Sequence, residues 1–450
     1  MLDIKFIREN TKLIKKLIAS GRGDSEKADI DVWLGLDKKR SELMVERDEI
    51  NRKRNEFAET GKTGNIEKIR EEAKSLKKDL KKVEEELGEV VGKWQEILDW
   101  VPNIPIGEMP EGKGEEDNIV LKLWEPKNGY VHEATGKKAR GETEKYVKMD
   151  LGFEAKSHLD IGESLGVINI KQSAKTSGSR FSYLVGDIVL LQYAIQQLLF
   201  NELIKRKFVP FVPPLLVKDK ALYGTSHFPG GVDQVYAIST DYVEESTKLY
   251  LIGSTEPPNF AYFMDKTLEE KNLPIKLFAY APAFRSEVGS WGRDVSGIKR
   301  VHQFDKIEMN SVCTPDQSKE VFSEFLSINE WLLQELELPY QLALKCTGDA
   351  GYLASSKQVD PEVWLPGQDE WMEVMTATNA TDYQARRLNI KYKDTDGNLK
   401  YVHTVNDTGV AMGRILISIL CNYQNSDGSV DVPRVLTKYL DFEKMTPRMV

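Results

Sequence analysis

Residues 282–309 read P-A-F-R-S-E-V-G-S-W-G-R-D-V-S-G-I-K-R-V-H-Q-F-D-K-I-E-M, a dense run of chemistry-bearing side chains. The pattern predicts two strands, 283–288 and 300–309, joined by a Gly-rich loop. Side chains alternate across a strand, so Arg285 and Glu287 share one face of the first. Arg300, His302, Phe304, Lys306 and Glu308 share one face of the second, with Val301, Ile307 and Met309 on the other. Guanidinium groups, an aromatic ring and carboxylates on one surface suit a nucleotide. Arginine forks match phosphate oxygens, a ring can stack on a base, and carboxylates can take an amine or a metal. A charged, solvated hairpin would alternate in the same way, so partners are needed from elsewhere in the chain.

Five later stretches carry polar or charged groups of their own. A predicted strand, 248–253, runs into Ser254-Thr255-Glu256. Further on come Val363-Trp-Leu-Pro-Gly-Gln368, Trp371-Met-Glu-Val-Met-Thr376 and Thr381-Asp-Tyr-Gln-Ala-Arg-Arg387. The last is Thr404-Val-Asn-Asp-Thr408, leading to Arg414 and an apolar helix, 415–423. Asn406 or Thr408 is positioned to cap that helix. Arg414 would sit in its first turns, where the helix dipole has the same sign, so an anionic partner is expected. Gly409 and Gly413 would allow close backbone packing. Other chemistries fit poorly. Gly224-Thr-Ser-His-Phe228 has Phe where a nucleophile elbow needs its second glycine. Gly61-Lys62-Thr63 lacks the upstream glycine and the strand–loop–helix setting of a P-loop. The five histidines and three cysteines show no metal-ligand spacing, and no zinc site is expected.

The rest of the chain must position these groups. At 450 residues, with 40% hydrophobic content, two or three domains are expected. The net charge of −9 excludes a globally basic nucleic-acid binder, so any RNA contact must be local. Three widely spaced cysteines point to a reducing compartment. No apolar signal core or membrane-length apolar run is seen, so a soluble cytoplasmic protein is expected. Residues 3–20 predict a short amphipathic helix, with Ile4, Ile7, Leu13, Ile14 and Leu17 as core. Residues 31–100 predict two antiparallel helices roughly 45 Å long, at 1.5 Å per residue. Ile66, Ile69, Ala73, Leu76, Leu80, Val83, Leu87, Val90, Trp94 and Ile97 form one heptad seam. Leu36, Leu43, Ile50 and Phe57 recur every seventh residue in the other helix, with Arg40, Arg47 and Arg54 at alternate seam positions. Residues 61–65 make the turn. Basic residues along this hairpin could track a phosphate backbone, although many are paired with acids at i,i+4. Two prolines in 101–105 end it. Residues 106–150 read as loop with short strands. Residues 185–206 read as a helix buried on most sides, followed by a Pro-containing strand to 217.

The residues F-R-S-E, G-R-D and H-Q-F-D-K-I-E resemble motif 2 of the class II aminoacyl-tRNA synthetases. V-W-L-P-G-Q, D-Y-Q-A-R-R, T-V-N-D-T, T-S-G-S-R-F (176–181) and P-R-V-L (433–436) make the chain similar to the seryl-tRNA synthetase family over nearly its whole length. That resemblance implies an α+β fold: an antiparallel-sheet class II catalytic domain over 106–450 and an N-terminal tRNA-binding domain over 1–105 carrying the coiled-coil arm. Motif 1 would span about 185–217, motif 2 about 281–309 and motif 3 about 404–424. It implies a homodimer that activates L-serine with Mg-ATP to seryl-adenylate plus pyrophosphate. Serine then passes to the 3′-terminal adenosine of tRNA(Ser), held by its acceptor end and long variable arm; whether tRNA(Sec) is also charged stays open.

Carried over by residue, Arg285 would bridge the α-phosphate and the serine carboxylate, with Glu287 and Arg414 as its catalytic companions. Ser286, Glu287, Arg300, Val301, Phe304, Glu373, Val374, Thr376, Arg414 and the backbone of Met375 would contact ATP. Ser254, Thr255, Glu256, Glu308, Asn406 and Thr408 would join Arg285 around serine. Glu373 and Thr376 would hold Mg²⁺. Arg40, Arg47, Lys53, Arg54, Lys74, Lys77, Lys78 and Lys81 would face tRNA. Ser254-Thr255-Glu256 and Met375-Thr376 depart from the family's usual Thr-x-Glu and Ser pair. A catalytically silent RNA-binding relative, or a ligase loading a carrier protein, would be the competing classes.

Overall fold

The computed structural model describes residues 1–60, 66–107, 109–138, 151–239, 248–289, 297–351 and 353–447. Two compact units result, Met1–Pro102 and Asn103–Val450. In the first, the expected helix over 3–20 is two, Ile4–Glu9 and Thr11–Ala19, divided at Asn10. Asp3 caps the first through its carboxylate, and Ile7, Ile14 and Leu17 are buried. Two long helices follow, α1 (Ile30–Thr60) and α2 (Ile66–Trp100). The seam between them is Leu43, Val83, Leu87 and Val90, with Leu36, Met44 and Ile50 packed against it. Trp33 stacks on Trp94 at 5.7 Å, and Lys39 bridges to Glu86 at 2.6 Å. Leu98, not Ile97, is the fully buried residue near the base, and Ala73 is exposed. The expected turn at 61–65 lies outside the described residues.

The second unit is built on a ten-stranded sheet. Its strands are β1 (Ile119–Glu125), β2 (Gly129–Lys138), β3 (Val209–Pro210), β4 (Ile275–Phe284) and β5 (Gln303–Cys313), then β6 (Tyr340–Leu344), β7 (Lys357–Leu365), β8 (Glu370–Glu373), β9 (Ala377–Thr381) and β10 (His403–Ala411). Their order is β2-β1-β6-β7-β9-β10-β5-β4-β3, with β8 paired to β7. Pairing is antiparallel except at β4–β3. Within 106–150, expected to be loop with short strands, the hairpin β1–β2 supplies strands of 7 and 10 residues that extend the sheet. Residues 139–150 lie outside the described residues. The Pro-containing strand after 208 is two short pieces, Val209–Pro210 and Leu216–Val217, because proline breaks the ladder.

Helices α3 (Asp187–Lys205), α5 (Ser318–Glu335) and α7 (Met412–Asn422) cover one face of the sheet. Val321, Phe325, Ile328 and Leu332 of α5 form the expected stripe and are buried. Alternation sends Ile307 and Met309 of β5, and Val405 and Val410 of β10, into this core. Helix α3 differs from expectation. It buries Ile188, Leu191, Ile195 and Leu198 but leaves Leu190, Tyr193 and Ile204 half exposed, with Val212 beyond it 92% exposed. The short helices α4 (Glu256–Ala261) and α6 (Tyr383–Leu388) lie on the opposite face and leave a cleft over β5, β9 and β10.

Candidate active site

The floor of the cleft is laid by β5, β9 and β10. Strand β4 ends at Phe284, and β5 starts only at Gln303. Arg285, Glu287, Arg300 and Val301 therefore enter the cleft from loop backbone, not from the expected strand extensions. Phe304, Lys306 and Glu308 enter by strand alternation, as expected. His302 ties the two loop ends together. It accepts from Arg285 N–H through its carbonyl at 3.0 Å, and its Nδ1 lies 3.0 Å from the Arg285 carbonyl. Arg180, from T-S-G-S-R-F, donates to the Glu287 carbonyl at 2.7 Å. Glu287 sits at φ +49, a left-handed conformation costly for a side chain with Cβ. Opposite, β10 carries an extra residue between the pairs Ile307↔Val410 and Glu308↔Thr408. Bulges re-aim side chains next to sites; here Asn406 and Thr408 face the cleft while Asp407 faces the core, where Asn329 of α5 donates to it at 2.9 Å.

One half of the cleft is acidic and buried. Glu256, Glu308, Ser254 and His227 meet there. Lys306 Nζ lies 2.5 Å from Glu308 and donates to Thr408 at 3.3 Å. Ser254 Oγ accepts from the Glu256 N–H at 3.2 Å. Burial, with Glu308 nearby, raises the Glu256 carboxyl to about 7, against the pull of Gln384, Lys306 and Arg285. Burial also raises Glu308, with Lys306 opposing. Burial, then Arg285 and Lys306, pushes His227 down to about 3, so its imidazole is neutral. The arrangement suits a small cationic group: two carboxylates in a low-dielectric pocket favour an incoming ammonium.

The other half is rich in arginine. Arg414 donates through Nη1 to the Glu373 carbonyl at 2.8 Å and to its Oε1 at 2.7 Å. Burial works to raise Glu373, but Arg414, Lys345 and Arg285 outweigh it and hold the carboxyl below its ordinary value. Thr376 Oγ1 lies 3.3 Å from Glu373 Oε1. Hard oxygens facing an open cleft fit Mg²⁺, which takes few protein ligands and completes its shell from phosphates and water. Among the described residues, no group of three or more His, Cys, Asp or Glu could hold a metal by itself. Gly413 approaches the backbone of Ile298 closely; a Cβ there would stand 2.8 Å from that carbonyl oxygen. Arg285 lies between the halves. Its Nε donates to the Gly253 carbonyl at 3.2 Å, and its guanidinium lies over Phe304 at 5.4 Å.

Most expected site residues converge here: Ser254, Glu256, Arg285, Glu287, Arg300, Val301, Phe304, Glu308, Glu373, Val374, Thr376, Asn406, Thr408 and Arg414 all line the cleft. Three expectations, for Thr255, for Ser286 and for the cap of α7, need correction, and the backbone-only reading of Met375 does not. Thr255 is buried against Asn259 of α4, not in the cleft lining. Ser286 turns its hydroxyl to the Asp233 carbonyl. The Met375 side chain belongs to the apolar core, which accounts for methionine at that position. Asn406 and Thr408 do not cap α7: they lie in β10, and Ala411 precedes the helix without a side-chain cap. On the helical arm, Arg40 is committed to Asp37 at 3.3 Å and to the Trp94 face at 4.7 Å, so it does not present to a phosphate backbone. Arg47 pairs with Asp48, Lys53 with Glu49 and Lys81 with Glu85, while Arg54, Lys74, Lys77 and Lys78 are exposed. The G-R-D segment of the Gly-rich loop lies outside the described residues. Sequence reading assigned no role to Lys306, although its alternation with Phe304 and Glu308 was the available signal. It also missed Gln384 and His227, which reach the cleft only through folding.

Known proteins resemble the chain over its whole length. The family model of the seryl-tRNA synthetase N-terminal domain matches residues 1–105, and that of the tRNA synthetase class II core domain (G, H, P, S and T) matches 236–423. The serine–tRNA ligase of Pyrococcus horikoshii is 37% identical over 99% of this chain and 98% of its own. That of Pseudothermotoga lettingae is 35% identical over 98% and 99%. The crystal structure of seryl-tRNA synthetase from P. horikoshii complexed with ATP superposes with a TM-score of 0.86 at 35% identity over both whole chains. The fold, the convergent cleft and these similarities together make the chain a member of the seryl-tRNA synthetase family.

Proposed function

We propose that the cleft joins L-serine to ATP and then transfers serine to the 3′-terminal adenosine of tRNA(Ser). The observation that carries this is the position of Arg285, anchored beside the acidic half through Gly253 and acting electrostatically on Glu256, Glu308 and Glu373 alike. A serine carboxylate oxygen attacks the α-phosphorus, and the bond to the bridging oxygen breaks, releasing pyrophosphate with the electron pair. That step brings two anions together. A planar guanidinium able to bond both is the physical answer, and the gain is positioning and charge neutralisation. No side-chain base is needed, because the attacking carboxylate is already ionised. Phe304 offers a stacking face for adenine, Glu287 and Arg300 flank the nucleotide, and Arg414 reaches the triphosphate side. Glu373 and Thr376 would hold Mg²⁺, which would supply charge neutralisation on the triphosphate side. Glu256 and Glu308 receive the serine ammonium and hydroxyl, with Asn406 and Thr408 alongside. A pocket built to bond a hydroxyl rejects alanine and glycine, which leave its groups unpaired.

The half-exposed Leu190, Tyr193 and Ile204 on α3, with Val209 and Val212, make an apolar face of the kind that subunit interfaces cover, which supports a homodimer. The long α1–α2 hairpin, with exposed Lys74, Lys77 and Lys78, supports a role in holding the long variable arm of tRNA(Ser). The three cysteines are unpaired and buried, in keeping with a cytoplasmic enzyme. No helix among the described residues is long and apolar enough to cross a membrane. The test is serine-dependent ATP–pyrophosphate exchange, followed by charging of a tRNA with a long variable arm. Exchange with serine and then charging are expected. Absence of exchange would sink the proposal, and exchange without charging would favour a carrier-protein ligase.

A further inference from the structure

We infer that Gln384 is a positioning residue for amino-acid binding, holding the Glu256 carboxylate in the orientation that receives serine. The inference rests on the serine-activation reading above. Gln384 lies in the first turn of the short helix α6 and is buried at the edge of the cleft. Its Nε2 donates to Glu256 Oε1 at 2.7 Å and to the Thr225 carbonyl at 3.2 Å. Its Oε1 accepts from Thr404 Oγ1 at 2.7 Å. A backbone carbonyl only accepts, so the amide nitrogen must face Thr225, and the amide cannot flip. Both of its protons are then used, one of them on Glu256. Thr404 is fully buried on β10, two residues before Asn406. The chain Thr404–Gln384–Glu256 therefore ties the strand that presents Asn406 and Thr408 to the carboxylate across the pocket. Glu308 stands nearby as a second carboxylate with Lys306 as its counter-ion. Without a fixed donor, Glu256 would be free to rotate toward Lys306 or to take up a proton instead.

The experiment compares the parent, Gln384→Met and Thr404→Val in ATP–pyrophosphate exchange, measuring KM for serine and for ATP from pH 6 to 9, with thermal unfolding alongside. Methionine keeps the volume and removes both donors. One lost hydrogen bond to a charged group corresponds to about a 10- to 100-fold rise in KM for serine. KM for ATP should stay within about twofold, and the acid limb of the serine KM profile should move to higher pH, because the ionised Glu256 has lost a donor. Thr404→Val, which frees the far end of the amide, should give a smaller rise of the same serine-only kind. A folded Gln384→Met with unchanged serine KM, or with serine and ATP affected equally, overturns the inference. Should that variant not fold, an unchanged serine KM in Thr404→Val overturns it as well. A parent that lacks serine-dependent exchange refutes the function itself, a separate and recognisable result.

Discussion

Replacing Arg285 by alanine tests the reasoning most directly. The side chain supplies a fork anchored by one bond to the Gly253 carbonyl and braced on the Phe304 ring. In the proposed reaction its remaining donors bridge the attacking carboxylate and the α-phosphate. Two charge-assisted bonds at about 1.5–3 kcal/mol each make a loss of about 3–6 kcal/mol. At 1.36 kcal/mol per decade this slows exchange about 10²- to 10⁴-fold. A second effect follows from charge alone. Arg285 lowers the carboxyls of Glu256, Glu308 and Glu373. Its removal raises them, so serine binding by the variant should demand a higher pH than in the parent. Arg285→Lys keeps the charge but not the fork; it should retain much of the pH profile while losing most of the rate. The assays are ATP–pyrophosphate exchange from pH 6 to 9 and thermal unfolding, the latter to show that the fold survives. An alanine variant that folds and keeps more than a tenth of parental exchange would refute the central role given to Arg285.

In the parent, Glu256 titrates near 7, and an ammonium ligand needs the ionised form. KM for serine should therefore rise as pH falls below about 7; a flat profile between pH 6 and 8 would mean that Glu256 does not receive the ammonium. Gly413→Ala places a methyl 2.8 Å from the Ile298 carbonyl. The cleft segment 298–301 must shift, and KM for ATP should rise about tenfold, the scale of 1–3 kcal/mol for overpacking, with serine affected less. Deleting residues 31–100 should spare exchange and abolish charging, and surviving charging would remove the hairpin from tRNA binding. Tyr193→Glu on the exposed face of α3 should yield monomers in sedimentation analysis; an unchanged mass would place the subunit contact elsewhere.

Much of the site is legible in local sequence because strands carry their own ruler. Phe304, Lys306 and Glu308 point one way, and Ile307 and Met309 the other, as period 2 requires. The 3.6-residue stripe of α5 and the heptad seam near Leu43, Val83 and Val90 are equally direct, because each is set by neighbours within one or two turns. Loop backbone has no such period. Arg285, Glu287 and Arg300, expected on strands, reach the cleft from loops, one of them at positive φ.

What the sequence determined by itself is the inventory: the arginines, carboxylates and aromatic ring near the Gly-rich loop, and the two long helices ahead of them. Tertiary structure decided what each member of that inventory does. Asn406 and Thr408 could as well have capped a helix, and only the bulge opposite Glu308 turns them into the cleft while Asp407 faces the core. Arg40 carries the same charge as Lys74, yet Asp37 and Trp94 hold it in the hairpin. Gln384 lies 128 residues from the carboxylate it holds. Charge and periodicity are properties of a short stretch. Burial, which gives Glu256 its unusual affinity for a proton and Arg285 its three carboxylates, exists only once distant strands have closed around them.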